Sequence, residues 1–369
     1  MRAIAPGRVN LIGDHTDYTG GLVFPMAINR YTVIDARFTE DSSISLKSAD
    51  EPDVANFKIP VIDISSLQPH WARYIAAVAA ECNATRGIAG TISTDIPIGS
   101  GLSSSAALEV ATALALGFDG SPQELAQLTQ RAEHVATGVP TGIMDQLCIS
   151  AAQENHAMLI DCSTLEVVYS PIPEECKIVV QFIAHRTLQG SEYSERVRQC
   201  NSAESIIGPL RSASIGMLEL IEDATVSQRA RHVITENQRV REFAQALASH
   251  DLQHAGQLMN EGHTSLARDF ASSTSVMDKA VNEIQNIPGV FGARMTGGGF
   301  GGAAIALVTS AEVPEVMAAV ADAFTAAGYQ PPLHPPHLRH ILRIHLKDDE
   351  HFVRTCCIIW PFTTKIQHQ

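Results

Sequence analysis

The sequence is poor in positive charge, in paired cysteines and in long apolar runs, and each shortage argues against a class of protein. Only 26 residues are Lys or Arg against 40 Asp or Glu, so the formal net charge is −14. That balance disfavours nucleic acid as the main partner, because binding its phosphates requires a basic surface. The seven cysteines contain no C-x-x-C spacing, so they indicate no disulfide framework. No apolar run approaches the ~18 residues of a membrane helix, and the first residues contain no signal-peptide core. We therefore expect a soluble cytoplasmic protein that does not bind a membrane.

The hydrophobic pattern mixes strands and helices without regular β-α-β alternation, which favours an α+β protein of two lobes. Turn signals separate short apolar runs in the first third of the chain, whereas residues 202–287 are helical in roughly four segments. Ser121, Pro122 and Glu124 form a capping-box pattern for a helix that ends near Gly138. The predicted strands are Leu22–Ile28, Thr32–Phe38, Ser43–Leu46, Gly90–Asp95, a hairpin over Ala157–Val168, Lys177–Ile183 and Ala303–Val308. The other predicted helices are Ala72–Glu81, Ser105–Leu116, Gln228–Ser249, Leu252–Phe270 and Pro314–Ala327.

The first polar cluster covers residues 7–21, GRVNLIGDHTDYTGG. Its glycines allow backbone to approach a ligand closely. Asp14 and Asp17 are suited to accept hydrogen bonds from neighbouring hydroxyls, and Arg8 is suited to face an anion. From these residues alone, a polar surface loop with glycine turns remains an equal alternative.

The second cluster, residues 97–107, is PIGSGLSSSAA and lies between a predicted strand and a predicted helix. The glycines leave backbone N–H groups accessible, and these groups together with the start of a helix favour phosphate binding. The chain contains no G-x-x-x-x-G-K-[ST] motif, and Ser104 occupies the place of the third glycine in a dinucleotide fingerprint. A Gly/Ser turn before a helix is also common without any ligand.

Two further clusters follow. Glu133 and Asp145 flank a Gly/Pro turn, so that one carboxylate could hold a metal while the other faces a substrate hydroxyl. The spacing alone favours two unrelated surface acids. Residues 292–302, GARMTGGGFGG, contain five glycines in six positions. Their neighbours Met295 and Phe300 favour tight packing or a ligand over a flexible linker.

Together these clusters resemble the GHMP small-molecule kinases, and within them the galactokinase family. Residues 7–18 resemble the galactokinase signature, residues 97–107 the GHMP phosphate loop, and residues 294–302 the third GHMP motif. Residues 133–146, 190–200 and 258–266 continue the resemblance, which runs from residue 1 to about 330. It implies a GHMP kinase fold, with a mixed-sheet N-terminal lobe over 1–172 and a helix-rich C-terminal lobe with an antiparallel sheet over 173–330. It also implies transfer of phosphate from MgATP to O1 of galactose by a monomer.

The resemblance implies a role for each matching residue. Asp145 would face the anomeric hydroxyl as a base or a positioning group, and Arg8 would keep its carboxylate ionised and balance charge at the transferring phosphate. Sugar-binding residues would be Asp14, His15, Thr16, Asp17, Gly142 and Tyr193. Nucleotide-binding residues would be Ser48, Gly99, Ser100, Gly101, Leu102, Ser103, Ser104 and Ser105, and the Mg²⁺ ligands would be Ser104 or Ser105 together with Glu133.

Two departures from the family pattern leave alternatives open. Asp14 stands where the signature usually has Glu, so a kinase for a related sugar, N-acetylgalactosamine or arabinose, remains possible, as does a galactose- and ATP-binding regulator without turnover. The tail, residues 331–369, shows no family pattern and holds six of the 15 histidines and five of the 18 prolines. We interpret it as an atypical C-terminal segment that is consistent with an altered reading frame.

Overall fold

The computed structural model describes residues 1–184, 191–326 and 356–359. Its strands are β1 (Arg2–Asn10), β2 (Leu22–Val23), β3 (Pro25–Phe38), β4 (Ser43–Ser48), β5 (Val54–Lys58), β6 (Ile88–Thr94), β7 (His156–Asp161), β8 (Glu166–Pro171), β9 (Cys176–Ala184), β10 (Val290–Thr296), β11 (Gly302–Thr309) and β12 (Cys356–Ile359). Its helices are α1 (Ala72–Glu81), α2 (Ser104–Ala115), α3 (Pro122–Thr137), α4 (Met144–Ala151), α5 (Ser191–Ile207), α6 (Ala224–Ala248), α7 (Leu252–Arg268), α8 (Ser275–Gln285) and α9 (Val313–Ala326).

Three sheets organise the described chain. The first has the order β1-β3-β6-β4-β5 and is mixed, because β4 and β6 run parallel while the other neighbours are antiparallel. The second, β10-β11-β9-β12, and the third, β2-β7-β8, are antiparallel. The predicted α+β class is therefore confirmed, with a mixed sheet in the N-terminal part and an antiparallel sheet beside the long C-terminal helices.

The main hydrophobic core joins the two larger sheets. It contains β1 and β3 side chains such as Val9 and Ile34, and it continues through Phe243 of α6 to Ile305 of β11. A second core lies between α5, α6 and α8 and the antiparallel sheet. Because one core reaches both sheets, burial of apolar surface holds the phosphate loop and the third glycine-rich motif in one structure.

Local signals explain the helices that were predicted well. Helix α1 has the predicted bounds. The Ser121 hydroxyl and the Glu124 side chain form the reciprocal capping box at the start of α3, and Gly138 ends the helix with φ +71°. The left-handed conformation at Gly138 costs a glycine little, which is why the helix stops there.

Several predictions were wrong in their boundaries. The predicted strands Leu22–Ile28 and Thr32–Phe38 are the short β2 and one continuous strand, β3. The helical region begins at Ser191 instead of residue 202, and no prediction covered β1, β5 or α4. Most of β1 is buried, so it lacks the alternating pattern that marks a half-exposed strand. The end of the predicted helix Pro314–Ala327 lies outside the described residues.

The tail prediction falls almost wholly outside the described residues. Within it, β12 pairs antiparallel with β9, with Cys356 opposite Gln181 and Ile359 opposite Ile178. Among the described helices, none has both the length and the apolar character needed to cross a bilayer.

Candidate active site

The first motif begins as a buried strand and continues as a tight loop. Arg8 and Asn10 lie in β1, and the chain then turns at Gly13, with φ +97°, and at His15, with φ +65°. The Thr16 hydroxyl lies 2.9 Å from the Gly13 carbonyl and 2.6 Å from the Leu22 carbonyl, so it closes the loop on itself. The segment is therefore a buried, internally bonded structure and not the polar surface loop that was the alternative.

The phosphate loop is held in an unusual backbone conformation. Gly99, Gly101 and Ser103 all have φ between +62° and +80°, and α2 begins at Ser104. A non-glycine residue in this region is under strain, which the surrounding structure must hold in place. Ser100 is fully buried, with its hydroxyl donating to the Pro97 carbonyl at 2.6 Å. The first amides of α2 point out of the loop without partners inside the helix, an arrangement suited to phosphate.

The glycines of the third motif pack directly against the phosphate loop. A Cβ atom on Gly297 would lie 2.9 Å from the Gly101 carbonyl oxygen, and one on Gly302 would lie 2.9 Å from that of Ser100. Side chains at these positions would push the phosphate loop away. Close backbone packing therefore accounts for the glycine density, as the tight-packing alternative predicted.

Arg8 and Asp145 form the centre of the cluster. The Arg8 Nε donates to Asp145 Oδ1 and its Nη2 donates to Oδ2, each at 2.8 Å, and the Ser103 hydroxyl also donates to Oδ2. The Arg8 Nη1 donates to the Gly101 carbonyl at 2.6 Å. Asp145 lies in the first turn of α4, where the helix dipole favours a carboxylate. This bidentate ion pair fixes the carboxylate beside the phosphate loop, as the sequence predicts.

Asp17 and Gly142 lie next to this ion pair. A Cβ atom on Gly142 would lie 1.9 Å from Asp17 Oδ2, so only glycine leaves room for that carboxylate. Burial and, to a smaller extent, the neighbouring Asp145 carboxylate together raise the pKa of Asp17 to about 7. A carboxylate in this environment is stabilised by hydroxyl donors, which is what a sugar would offer.

Aromatic rings cluster around His15, in the same loop as Asp17. The His15 ring centroid lies 5.6 Å from that of Tyr193 on α5 and 4.5 Å from that of Phe270, and its Nδ1 lies 3.2 Å from the Tyr18 hydroxyl. Tyr18 and Tyr193 meet edge to face at 5.6 Å. The structure therefore places His15 beside Tyr193, Tyr18 and Phe270, and Asp17 against Gly142, while the role of these residues in sugar binding stays a prediction.

Asp14 belongs to a buried network that sequence reasoning missed. Its Oδ2 accepts from Arg294 Nη2 at 2.8 Å, and its Oδ1 accepts from the Gly297 amide at 2.8 Å. Arg294 also pairs with Glu236 at 2.8 Å, and Glu236 accepts from the Gly13 amide at 2.9 Å. Burial raises the pKa of Asp14 to about 6, although the Arg294 guanidinium opposes that rise. Burial would raise the pKa of Glu236 too, but the Arg294 and Arg239 guanidinium groups hold it well below its ordinary value.

Glu133 and Ser105 meet where α2 and α3 approach each other. The Ser105 hydroxyl donates to Glu133 Oε1 at 3.2 Å, while Oε2 accepts from Thr141 at 2.8 Å and from Gln146 at 2.9 Å. Burial raises the pKa of Glu133, and the nearby Asp145 carboxylate adds to that rise. Glu133 and Asp145 are thus neighbouring carboxylates near the start of α2, and carboxylate oxygens are ligands that Mg²⁺ prefers.

The remaining predicted residues are less informative. Ser48 ends β4, and its hydroxyl accepts from the Asp50 and Glu51 amides at 3.1 and 3.2 Å, so its place beside a nucleotide stays a prediction. Arg294 and Gln146 lay within clusters singled out in the sequence but received no role. Glu236 and Glu109 lie in ordinary helical sequence, and no local pattern marks them.

Comparisons with known families agree with this geometry. A family model described as the galactokinase galactose-binding signature matches residues 1–38. The models for the GHMP kinase N-terminal and C-terminal domains match residues 71–152 and 243–326. These three segments contain, in order, residues 7–21, the phosphate loop together with Glu133 and Asp145, and the third motif.

Full-length relatives extend the match over most of the chain. A galactokinase of Chloroflexus aurantiacus is 41% identical over 87% of each chain, and the human galactokinase is 39% identical over 85% of each. The crystal structure of Lactococcus lactis galactokinase complexed with galactose superposes with a TM-score of 0.83 at 32% identity, covering 89% of this chain and 91% of that one. A mevalonate kinase structure shares the fold, with a TM-score of 0.64 at 21% identity. The chain belongs to the galactokinase family of the GHMP kinases.

Proposed function

We propose that this chain transfers the γ-phosphoryl group of MgATP to O1 of galactose and forms galactose 1-phosphate, the entry step of galactose catabolism. One observation carries the proposal: the Asp145 carboxylate is fixed by Arg8 and Ser103 between the phosphate loop and the Asp17–Gly142 contact. Phosphoryl transfer needs in-line positioning and charge stabilisation more than covalent help from the protein. A fixed carboxylate between an acceptor pocket and a phosphate loop meets that requirement.

The acceptor sugar would lie against the pocket formed by Asp17, His15, Gly142 and Tyr193. Asp17 would accept from sugar hydroxyls, and the ring of Tyr193 would cover one side of the pocket. Asp14 stays among the proposed sugar-binding residues, because each of its carboxylate oxygens has a second lone pair. Its ion pair with Arg294 already fixes the direction in which it can accept. Thr16 would contribute through its backbone, since its hydroxyl is used within the loop.

The nucleotide phosphates would lie on the amides of the loop from Gly99 to Ser105. Ser105 and Glu133 fit Mg²⁺ better than Ser104 does, because the Ser105 hydroxyl already meets the Glu133 carboxylate. In the described part of the chain, no group of three or more His, Cys, Asp or Glu forms a complete metal cage. Mg²⁺ is commonly held by one or two carboxylates together with substrate phosphates, so such a cage is not needed. When bound, the ion would neutralise charge on the phosphate oxygens.

During transfer, Asp145 would orient the anomeric hydroxyl and accept its proton as O1 attacks the γ-phosphorus. Arg8 would hold the Asp145 carboxylate and balance the negative charge that develops at the phosphate. The bond from the γ-phosphorus to the β,γ-bridging oxygen breaks, and ADP leaves with its electron pair.

A panel of sugars at fixed MgATP, with ADP release as the readout, tests the proposal. We expect galactose to give the highest kcat/KM, with N-acetylgalactosamine, arabinose and glucose as comparison acceptors. Higher kcat/KM for arabinose or N-acetylgalactosamine would replace galactose by that sugar. Binding of galactose and ATP by calorimetry without ADP release would instead identify a non-catalytic regulator.

Proposals on location, oligomeric state, partners and domain division accompany this one. The enzyme would act in the cytoplasm as a monomer and would bind neither nucleic acid nor membrane. The net charge of −14 supports the absence of nucleic-acid binding. The chain would divide into lobes 1–172 and 173–330 followed by the tail, which is supported by the start of the antiparallel sheet at β9. Sedimentation at micromolar concentration tests the monomer.

A further inference from the structure

Glu109 is a buried carboxyl group directly behind the proposed metal ligands. It lies on α2 four residues after Ser105, so both side chains are on the same face of that helix. Its side chain is fully buried, as is that of Gln146 on α4. The proposed transfer step uses neither residue.

A chain of hydrogen bonds joins Glu109 to Glu133. The Gln146 side-chain nitrogen lies 3.1 Å from Glu109 Oε2 and 2.9 Å from Glu133 Oε2. An amide nitrogen carries two hydrogens, so it can donate to both carboxyl groups at once. Gln146 therefore bridges the two acids, and its orientation depends on both.

The hydrogen bonds to Glu133 determine which of its carboxylate oxygens is available to a metal. Oε2 of Glu133 is occupied by Thr141 and Gln146, whereas Oε1 faces the Ser105 hydroxyl. A carboxylate whose far oxygen is held by two donors cannot rotate freely. Oε1 is thus directed at the place where Ser105 and the phosphate loop would supply the other ligands of a metal.

The surroundings of Glu109 favour its protonated form. Burial raises the pKa of Glu109 well above its ordinary value, and the nearby Glu133 carboxylate raises it further. Among the described residues, Glu109 Oε1 has no hydrogen-bond partner. A protonated acid still accepts from Gln146 through its carbonyl oxygen, so the bridge does not require a charge on Glu109.

We propose that Glu109 is a positioning residue that acts through Gln146 to hold the Glu133 carboxylate in its metal-binding orientation. The inference rests on the proposed assignment of Glu133 and Ser105 as Mg²⁺ ligands. Outer partners of metal ligands commonly change metal affinity by about 10- to 100-fold when they are removed. Galactose should bind unchanged, because Glu109 and Gln146 face the metal side of the cluster and not the sugar pocket.

The test measures Mn²⁺ binding to the enzyme–ADP complex by electron paramagnetic resonance, with galactose affinity measured by calorimetry. Glu109→Leu removes the acceptor for Gln146, and we expect it to raise the Kd for Mn²⁺ about 10-fold or more while the galactose Kd is unchanged. Glu109→Gln keeps an acceptor of the same shape, and we expect parent-like Mn²⁺ binding. Thr112→Val is a control at another buried polar side chain of α2, since it removes a hydroxyl that donates to the Leu108 carbonyl of its own helix.

A double-mutant cycle separates action through Gln146 from a general effect of α2. If Glu109 acts through Gln146, adding Glu109→Leu to Gln146→Leu should weaken Mn²⁺ binding no further. Parent-like Mn²⁺ binding by Glu109→Leu, an additive cycle, or an equal loss in Thr112→Val would overturn the proposal. If Glu109→Leu does not fold, Glu109→Met, which also lacks the acceptor, replaces it under the same criteria.

Glu133→Gln tests the assignment on which the inference rests. Unchanged Mn²⁺ affinity in Glu133→Gln would remove the proposed metal site itself, and the inference would fall with it. A large loss in Glu133→Gln beside no loss in Glu109→Leu would retain the metal site and overturn only the role of Glu109.

Discussion

Replacing Asp145 by Asn should separate the chemical role of the Arg8–Asp145 pair from its contribution to stability. The two side chains are 5% and 27% exposed, and two Arg8 nitrogens donate to the two carboxylate oxygens at 2.8 Å. An amide keeps one acceptor oxygen, so one of these charge-assisted bonds is lost, at a cost of about 2–3 kcal/mol of unfolding free energy. Loss of one electrostatic group at the reacting centre typically lowers kcat by about 10²-fold or more.

The assay combines a coupled ADP-release measurement of kcat and KM with urea denaturation of the same preparations. Asp161→Asn is the matched control, because Asp161 forms a second bidentate pair, with Arg211, at a similar exposure of 23%. We expect the control to lose stability but to keep kcat. Nearly parental kcat in Asp145→Asn, or an equal loss of kcat in Asp161→Asn, would refute the assigned role.

Two further predictions concern buried charge. The pKa of Asp17 is raised from 3.8 to about 7, so the folded protein binds more protons than the unfolded chain between these values, and stability falls as pH rises through that window. Asp17→Asn should reduce the slope of unfolding free energy against pH by up to about 1.4 kcal/mol per pH unit, and an unchanged slope in urea titrations would contradict the assigned environment. Arg294→Met leaves Asp14 and Glu236 buried without their shared cation, and we expect a loss of about 3–5 kcal/mol in urea denaturation together with weaker galactose binding. A loss below about 1 kcal/mol, the range of exposed pairs, would mean that the network is not a buried one.

Local sequence signals predicted those elements whose stability is decided locally. The capping box at Ser121 and the glycine stop at Gly138 both act within one turn of helix, so α3 was readable from its own residues. Strand β1 was not readable, because a strand buried on both faces has no alternation and this one also carries Arg8 and Asn10. The sequence pattern of a polar loop resembles that of a buried strand with polar side chains. Only the neighbouring elements of the fold distinguish the two.

The candidate site likewise contains residues that the sequence predicted and residues that it did not. Arg8, Asp145 and the phosphate loop were predicted because their motifs are contiguous and match a family. The partners that hold them were not predicted, since Glu236 reaches Arg294 and Gly13 across long stretches of chain and leaves no periodic signal. Gln146 was visible beside Asp145, but its bridging position depends on how α2, α3 and α4 pack.

Gly297 shows why the motifs are informative only as a set. Its amide donates to Asp14 in the segment 7–21, and its Cα lies so close to the Gly101 carbonyl that a Cβ atom would be 2.9 Å away. The same residue has φ +77°, a conformation that costs glycine little. This one glycine thus contacts both the Asp14 carboxylate and the backbone of the phosphate loop. The packing of this glycine against both the segment around Asp14 and the phosphate loop is a physical reason for the three motifs to occur together in one chain.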